Sequence, residues 1–175
     1  MKKTKMTVLS AMISAASVVV QLLGNVFTTL DLTAAALSGI PILIIREEFG
    51  LTYAVLSYLT ISVLGILLLP QKLIGISFLF FFGIYPIFKS YFDKKSKLLS
   101  WALKLIIFNL LFSATIYIGG TLLSIKDPLF AFAVVPYLLG NTTFIVYDIA
   151  ITMFISLYRY KYRHSAFIKG VFTKK

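Results

Sequence analysis

Apolar residues fall into six runs along the chain, separated by short polar or charged connections. A helix needs about twenty mostly apolar residues to cross the hydrocarbon core of a membrane, and most of these runs have that length. The pattern predicts transmembrane helices over residues 6–27, 32–45, 51–69, 73–92, 98–123 and 129–158. The second run is short and contains Pro41, which favours a tilted, kinked or partly re-entrant helix. The predicted fold is an all-α bundle of six transmembrane helices in a single domain.

Composition supports a membrane location for these helices. Hydrophobic residues make up 59% of the 175 residues and charged residues 13%, whereas about a quarter of the residues of a soluble domain are charged. A water-soluble fold of this size could not bury so much apolar surface. The run from Met6 to Phe27 follows a basic N-terminus and is long enough to span, so we interpret it as a retained helix and not as a signal peptide.

The distribution of lysine and arginine predicts the orientation of the bundle. With the N-terminus inside, fifteen of the seventeen basic residues fall in inner segments, and only Lys72 and Lys126 fall outside. This asymmetry follows the positive-inside rule. Both termini are therefore predicted to be cytoplasmic, and residues 159–175 form a basic tail that meets the anionic inner leaflet. This placement of the net charge of +11 argues against a nucleic-acid partner.

Motifs of catalysis and metal binding are missing from the sequence. The chain has no cysteine and a single histidine, His164, which lies in the basic tail. Disulfides, thiolate metal sites and cysteine nucleophiles are thereby excluded. There is no glycine-rich phosphate loop, no HExxH helix and no GxSxG elbow. We expect no enzymatic activity, no cofactor and no metal site in this chain.

Small residues follow one side of the first predicted helix. Ala11 and Ala15 are four residues apart and share a face, Ser10 and Ser14 form a second small pair beside them, and Ser17 extends the stripe. Small residues at this spacing allow a second helix to approach closely within lipid. Two interpretations stay open. The stripe packs inside the bundle, or Ala11, Ala15 and Ser14 contact a partner protein.

Polar residues at helical spacing occur on the last two predicted helices. They are Asn109, Ser113 and Tyr117 on the fifth helix and Tyr137, Asn141 and Asp148 on the sixth. Two facing polar stripes describe either a pocket for a small amphipathic molecule or a hydrogen-bonded seam without a ligand. An acid within a span costs roughly 2.5–3.5 kcal/mol on insertion scales, so Asp148 needs a partner. Lys104 on the fifth helix is a candidate for that partner.

The predicted outer connection between the first two helices is polar but carries no lysine or arginine. It includes Thr28, Thr29 and Asp31. These residues could cap a pocket that is open to the outside. Equally, the connection could be an ordinary turn in which Asp31 caps the second helix.

The chain shares several features with one known family. They are its length, six spans, inside termini, the Ala11-xxx-Ala15 pattern, and two stretches, LSAMISAA at 9–16 and DLTAAAL at 31–37. In these features it resembles the substrate-binding S-component of energy-coupling factor (ECF) importers. The resemblance implies a multi-pass protein of a bacterial plasma membrane, which captures a vitamin or similar micronutrient at the outer face. The pocket signatures of the thiamine, riboflavin and biotin members are missing, so the substrate stays open.

The resemblance also implies partners and site residues. S-components topple in the membrane against a transmembrane coupling subunit, which is driven by paired ATPases. The alanine face of the first helix contacts that subunit, which corresponds to Ala11 and Ala15 here. Family pockets use the outer halves of the later helices and the first outer loop, which corresponds to Asn109, Ser113, Tyr117, Tyr137 and Asn141, with Thr28 and Asp31. Two other functions remain open, a structural or assembly protein without a ligand and a lipid-handling protein that uses Asp148.

Overall fold

The computed structural model describes residues 3–26, 30–93, 96–122 and 134–162, and these ranges contain no β-strand. The helices are α1 (Lys3–Val26), α2 (Asp31–Phe49), α3 (Leu51–Leu68), α4 (Lys72–Ser77), α5 (Ile84–Phe92), α6 (Lys97–Leu122) and α7 (Val134–Leu157). A π-helical turn, Phe78–Phe82, joins α4 to α5, and a second one, Tyr158–Tyr162, follows α7. Because α4, the first π turn and α5 form one helical segment, the prediction of six helices is confirmed.

Four of these segments are long and apolar enough to cross a membrane. They are Lys3–Val26, Leu51–Leu68, Lys97–Ile118 and Val134–Tyr160. They indicate a multi-pass membrane protein. The segment formed by α4, the first π turn and α5, which we call the fourth segment because it is fourth in chain order, contains a shorter apolar helix, Ile74–Lys89. The start predicted for the sixth span, at residue 129, and most of the predicted basic tail lie outside the described residues.

The second helix is longer than the sequence pattern suggests. It was expected to end at residue 45, but α2 continues through Arg46, Glu47 and Glu48 to Phe49. Its nineteen residues measure about 28 Å along the axis, close to the roughly 30 Å of the hydrocarbon core. The charged residues can stay helical because they have partners. Arg46 donates to a backbone carbonyl oxygen of the fourth segment, and both glutamates are paired with residues that follow α7.

The centre of the bundle is α2, which packs against α1, α3, α4, the first π turn, α5 and α7. Its residues Ala35, Ile42 and Ile45 are completely buried. Gly39 allows the close approach of the π turn, because a side chain there would meet the carbonyl group of Phe82. Pro41 lies inside the helix, so the helix continues despite the lost hydrogen-bond donor.

The first two helices form a closely packed antiparallel pair. Gln21 Nε2 donates to Ser38 Oγ at 3.2 Å, and Gly24 lies directly against Ala34 further along the same interface. The serines of the first helix also point into the bundle, since Ser10, Ser14 and Ser17 are all buried. The serine side of the small-residue stripe therefore packs internally.

Charged residues gather at one end of the bundle, which we call the charged end. It holds the C-terminal ends of α2, α5 and α7 and the N-terminal end of α6. Arg159 lies 2.7 Å from Glu47 across it. Since α1 runs antiparallel to α2, the described chain starts and finishes at the charged end. At the opposite end, Gln71 N donates to Asn25 Oδ1 at 2.9 Å, which ties the end of α1 to the connection between α3 and α4.

Candidate functional site

Near the charged end, four charged side chains from three helical segments form a closed ring of alternating sign. Lys89 and Asp93 belong to α5 and its C-terminal cap, Lys104 to α6 and Asp148 to α7. Lys104 Nζ lies 2.6 Å from Asp93 and 3.1 Å from Asp148, whereas Lys89 Nζ lies 3.5 Å from Asp93 and also pairs with Asp148. The Tyr85 hydroxyl donates to the same Asp148 carboxylate. We call these four charged residues the charge ring.

The charge ring is neutral overall and mostly withdrawn from solvent. The side chains of Lys89, Lys104 and Asp148 are at most 5% exposed, and only Asp93 reaches the surface, at 42%. Neutrality matters because an unpaired charge within a membrane protein is costly, whereas a charge with good partners is tolerated. The predicted pairing of Asp148 with Lys104 is confirmed.

Lys89 and Asp93 are the ring members that the sequence pattern did not identify as site residues. Lys89 counts among the inner basic residues at a helix end, but its side chain is buried. A signal for its role exists in the sequence, because Tyr85, Lys89 and Asp93 follow one another at intervals of four residues. That spacing places them on one face of a helix, where Tyr85 and Lys89 contact Asp148 and Asp93 pairs with Lys89.

An open groove of about 550 Å³ runs beside the charge ring, between α6 and α7. Asp93, Lys104 and Asp148 reach its wall, together with Lys97 and Trp101. The Lys104 ammonium lies 5.5 Å from the centre of the Trp101 ring, a distance at which a cation is attracted to an aromatic face. The groove thus combines an aromatic side chain with charges of both signs.

The polar stripes of the last two helices meet as hydrogen-bonded pairs. Asn109 Nδ2 donates to Asn141 Oδ1 at 2.9 Å, and Asn141 Nδ2 donates to Asn109 Oδ1 at 3.0 Å. One turn further along, the hydroxyl oxygens of Ser113 and Tyr137 are 2.6 Å apart. The structure therefore brings these four residues together, and their polar groups bind one another. We call this contact the polar seam.

The other residues predicted to bind a substrate lie elsewhere. Tyr117 is 71% exposed on the surface of α6. Asp148 belongs to the charge ring and not to the polar seam. Thr28 lies outside the described residues. Asp31 begins α2, and its side chain is not among those described.

A second cavity, of about 270 Å³, lies between α6, α7 and the first π turn. We call it the apolar cavity. Leu32, in the first turn of α2, and Pro136, in the first turn of α7, place it towards the end opposite the charged end. Five phenylalanines line it, namely Phe81, Phe82, Phe108, Phe112 and Phe144. The sequence does not reveal this cavity, because a phenylalanine that lines a cavity has the same hydropathy as one that faces lipid.

The alanine face of the first helix is exposed. Ala11 and Ala15 are both exposed, as is Met12 between them. Ser14 does not belong to this face. It is only 3% exposed, and its hydroxyl donates to the Ser10 carbonyl oxygen at 2.8 Å. The exposed alanines lie on α1, which packs on α2, α3 and α4. Most of the apolar cavity is formed by other helices, α6 and α7, with the first π turn.

Comparisons with known proteins do not place the chain in a family. No protein-family profile, no curated protein and no solved structure matches it significantly. The resemblance to S-components therefore rests on the sequence features given above.

Proposed function

We propose that this chain is the membrane-embedded substrate-binding subunit of an ECF-type importer for a vitamin or a similar micronutrient. It binds its substrate within the bundle, and partner subunits supply the energy of transport. The charged end faces the cytoplasm in this proposal, because it gathers the basic residues that the positive-inside rule assigns to that side. The location is the plasma membrane of a bacterium.

The observation that carries the proposal is the apolar cavity. It measures about 270 Å³, near the lower end of the volumes of small-molecule sites. It lies towards the end opposite the charged end, which is the outer end in the proposed orientation. A substrate-binding subunit needs its pocket on that side in order to capture a molecule from outside.

A second feature supports a coupling partner. Ala11 and Ala15 present a small-residue face on α1 that no other helix of the described chain covers. Small residues let the backbones of two membrane helices approach closely, so that van der Waals contacts drive their association. The coupling subunit would dock on this face, while the substrate is held by other helices of the bundle.

The test is purification of the tagged chain in mild detergent from its own host membrane, followed by native mass spectrometry. We expect a bound vitamin-sized molecule, together with a coupling subunit and two ATPase chains. The double variant Ala11→Leu/Ala15→Leu should lose the partner chains and keep the small molecule. Ala102→Leu is the matched control, because Ala102 is also exposed but lies on α6. A preparation that carries only phospholipid and no partner chain would contradict the proposal.

The charge ring favours one alternative function, a lipid-handling protein. Asp148 and Lys104 line its groove beside Trp101, so charges of both signs could hold the two charges of a zwitterionic headgroup. In this alternative Asp148→Asn abolishes activity. In the importer proposal the same variant lowers stability, and folded protein that survives keeps its substrate. Substrate binding by folded Asp148→Asn protein therefore separates the two functions.

A further inference from the structure

In the proposed function the apolar cavity holds the substrate, and on that basis the residues that line the cavity restrict the chemical class of that substrate. Among the described residues, those that line the cavity include no charged side chain. Besides the five phenylalanines, the wall is formed by aliphatic residues, Pro136, Gly140 and three hydroxyl residues, Ser77, Thr115 and Thr143. A charged molecule that entered would give up its hydration without gaining a partner of opposite charge.

The side chains of the polar seam, which joins the same two helices, are already engaged with one another. Asn109 and Asn141 donate to each other, and Ser113 is bonded to Tyr137. The polar seam therefore closes the contact between α6 and α7 and offers a ligand few free groups. The Thr115 hydroxyl donates to the Leu111 carbonyl oxygen at 2.9 Å, which leaves its oxygen able to accept a hydrogen bond from a ligand.

The aromatic wall is ordered as a stack. The Phe108 ring is nearly parallel to Phe144, at an interplanar angle of 7° and 4.8 Å between centroids, and to Phe112, at 17° and 5.4 Å. Phe81 meets both Phe108 and Phe144 nearly edge-on. Aromatic rings prefer these offset-stacked and edge-to-face arrangements, and a planar ligand can extend the same pattern.

The space beside the stack exists because α7 carries compact residues there. Pro136 and Gly140 are four residues apart on the cavity side of the helix. A side chain at Gly140 would come within 3.0 Å of the Phe112 ring, so a larger residue would displace the wall. For scale, an engineered apolar cavity of about 150 Å³ stays dry and binds benzene.

We infer that the apolar cavity binds a neutral, planar ring molecule with a hydrogen-bond donor, and excludes anions of the same shape. This substrate class differs from a vitamin that carries a carboxylate or phosphate. It also differs from a flexible acyl chain, which cannot stack on the phenylalanines.

The test uses the full chain in nanodiscs of phosphatidylcholine and three tritiated probes. 2-Naphthol is a neutral ring with a hydroxyl donor, 2-naphthoate is the same ring as an anion, and 1-decanol is a neutral flexible chain. Empty nanodiscs measure partition into lipid, so that only saturable binding is counted. We expect 2-naphthol to bind at least ten-fold more tightly than either of the other probes.

Two pairs of variants locate the binding. Leu139 and Thr143 line the cavity, whereas their neighbours Leu138 and Thr142 lie on another side of α7. All four side chains are exposed, so tryptophan can replace each of them without filling the core. Leu139→Trp and Thr143→Trp should weaken the binding of 2-naphthol at least ten-fold. Leu138→Trp and Thr142→Trp should leave its affinity unchanged.

The outcomes separate this inference from the proposed function. Equal or tighter binding of 2-naphthoate or 1-decanol overturns the inference, and so does saturable 2-naphthol binding that Leu139→Trp does not affect. If the molecule that co-purifies from host membranes is an anion held in this cavity, the inference is wrong and the importer proposal stands. If none of the three probes binds saturably, the inference is wrong, and the partner chains in the purification decide the proposed function.

Discussion

The ammonium nitrogen of Lys104 lies 3.1 Å from a carboxylate oxygen of Asp148, and each of these side chains is 5% exposed. The two residues are 44 positions apart in the chain and connect α6 to α7. Through Lys89 and Asp93 the same charges reach α5. The charge ring therefore holds together three helical segments at one end of the bundle, where lipid alone would provide little preference for one arrangement.

Removing one charge from the charge ring should destabilise the folded protein. In Asp148→Asn, two buried lysines share the single carboxylate of Asp93, which leaves an excess positive charge away from water. Breaking a buried ion pair by removing one partner costs about 3–5 kcal/mol. We expect Asp148→Asn to lower the free energy of unfolding by about 3 kcal/mol, measured by titration with sodium dodecyl sulfate in mixed micelles.

Restoring neutrality should recover part of this loss. In the double variant Asp148→Asn/Lys104→Met, Lys89 and Asp93 remain as one ion pair, 3.5 Å apart. We expect the double variant to be more stable than the sum of the two single effects predicts. Lys97→Met is the control, because Lys97 is exposed outside the ring. Strictly additive effects would mean that the ring does not act as a unit.

The charge ring and the helix boundaries show how much of the structure can be predicted from the sequence. Hydropathy predicted six helices because each crossing needs its own apolar run. It misplaced the end of α2, because the charges of Glu47 and Arg159 compensate each other from 112 positions apart, and a local pattern does not contain that pairing. The polar seam could be predicted from the spacing of polar residues. The apolar cavity could not, because it depends on which phenylalanines face inward.

The orientation of the bundle can be tested directly, because the chain contains no native cysteine. Ser96 lies in the connection between α5 and α6 at the charged end, and Pro70 lies in the connection at the opposite end, and both are exposed. We expect a membrane-impermeant maleimide to label Pro70→Cys in intact cells and Ser96→Cys only in inverted vesicles. The reverse labelling would invert the proposed topology, and labelling of both from one side would contradict a membrane-spanning fourth segment.

The polar seam gives a prediction that separates a structural contact from a substrate contact. Asn141→Ala removes both hydrogen bonds to Asn109 and leaves a half-buried amide without them. Hydrogen bonds between membrane helices average about 0.6 kcal/mol, so we expect a loss of about 1 kcal/mol of stability. Because the seam side chains bind each other, folded Asn141→Ala should keep its affinity for the co-purifying molecule.

The control for the seam is Thr142→Ala on the neighbouring position. Thr142 is exposed, and its hydroxyl donates within its own helix to Leu138. We expect no measurable change in stability or in binding. A large loss of affinity in Asn141→Ala, at unchanged stability, would instead make Asn141 a substrate-binding residue.

The last prediction concerns Gln21 of α1, whose side chain lies against Ser38 of α2 and Gly65 of α3. Gln21 is fully buried, and its Oε1 atom has no hydrogen-bond partner among the described residues. The amide nitrogen donates to Ser38, but the Ser38 hydroxyl already donates to the Ala35 carbonyl oxygen at 2.7 Å. Ser38 is therefore still bonded when Gln21 is replaced.

An unsatisfied buried polar group costs about 1–3 kcal/mol, so we expect Gln21→Leu to keep or raise the free energy of unfolding by up to about 1 kcal/mol. Ser38→Ala in the same background should then have almost no effect of its own. A clear destabilisation by Gln21→Leu would show that the amide oxygen is satisfied in the membrane, for example by a bound water molecule.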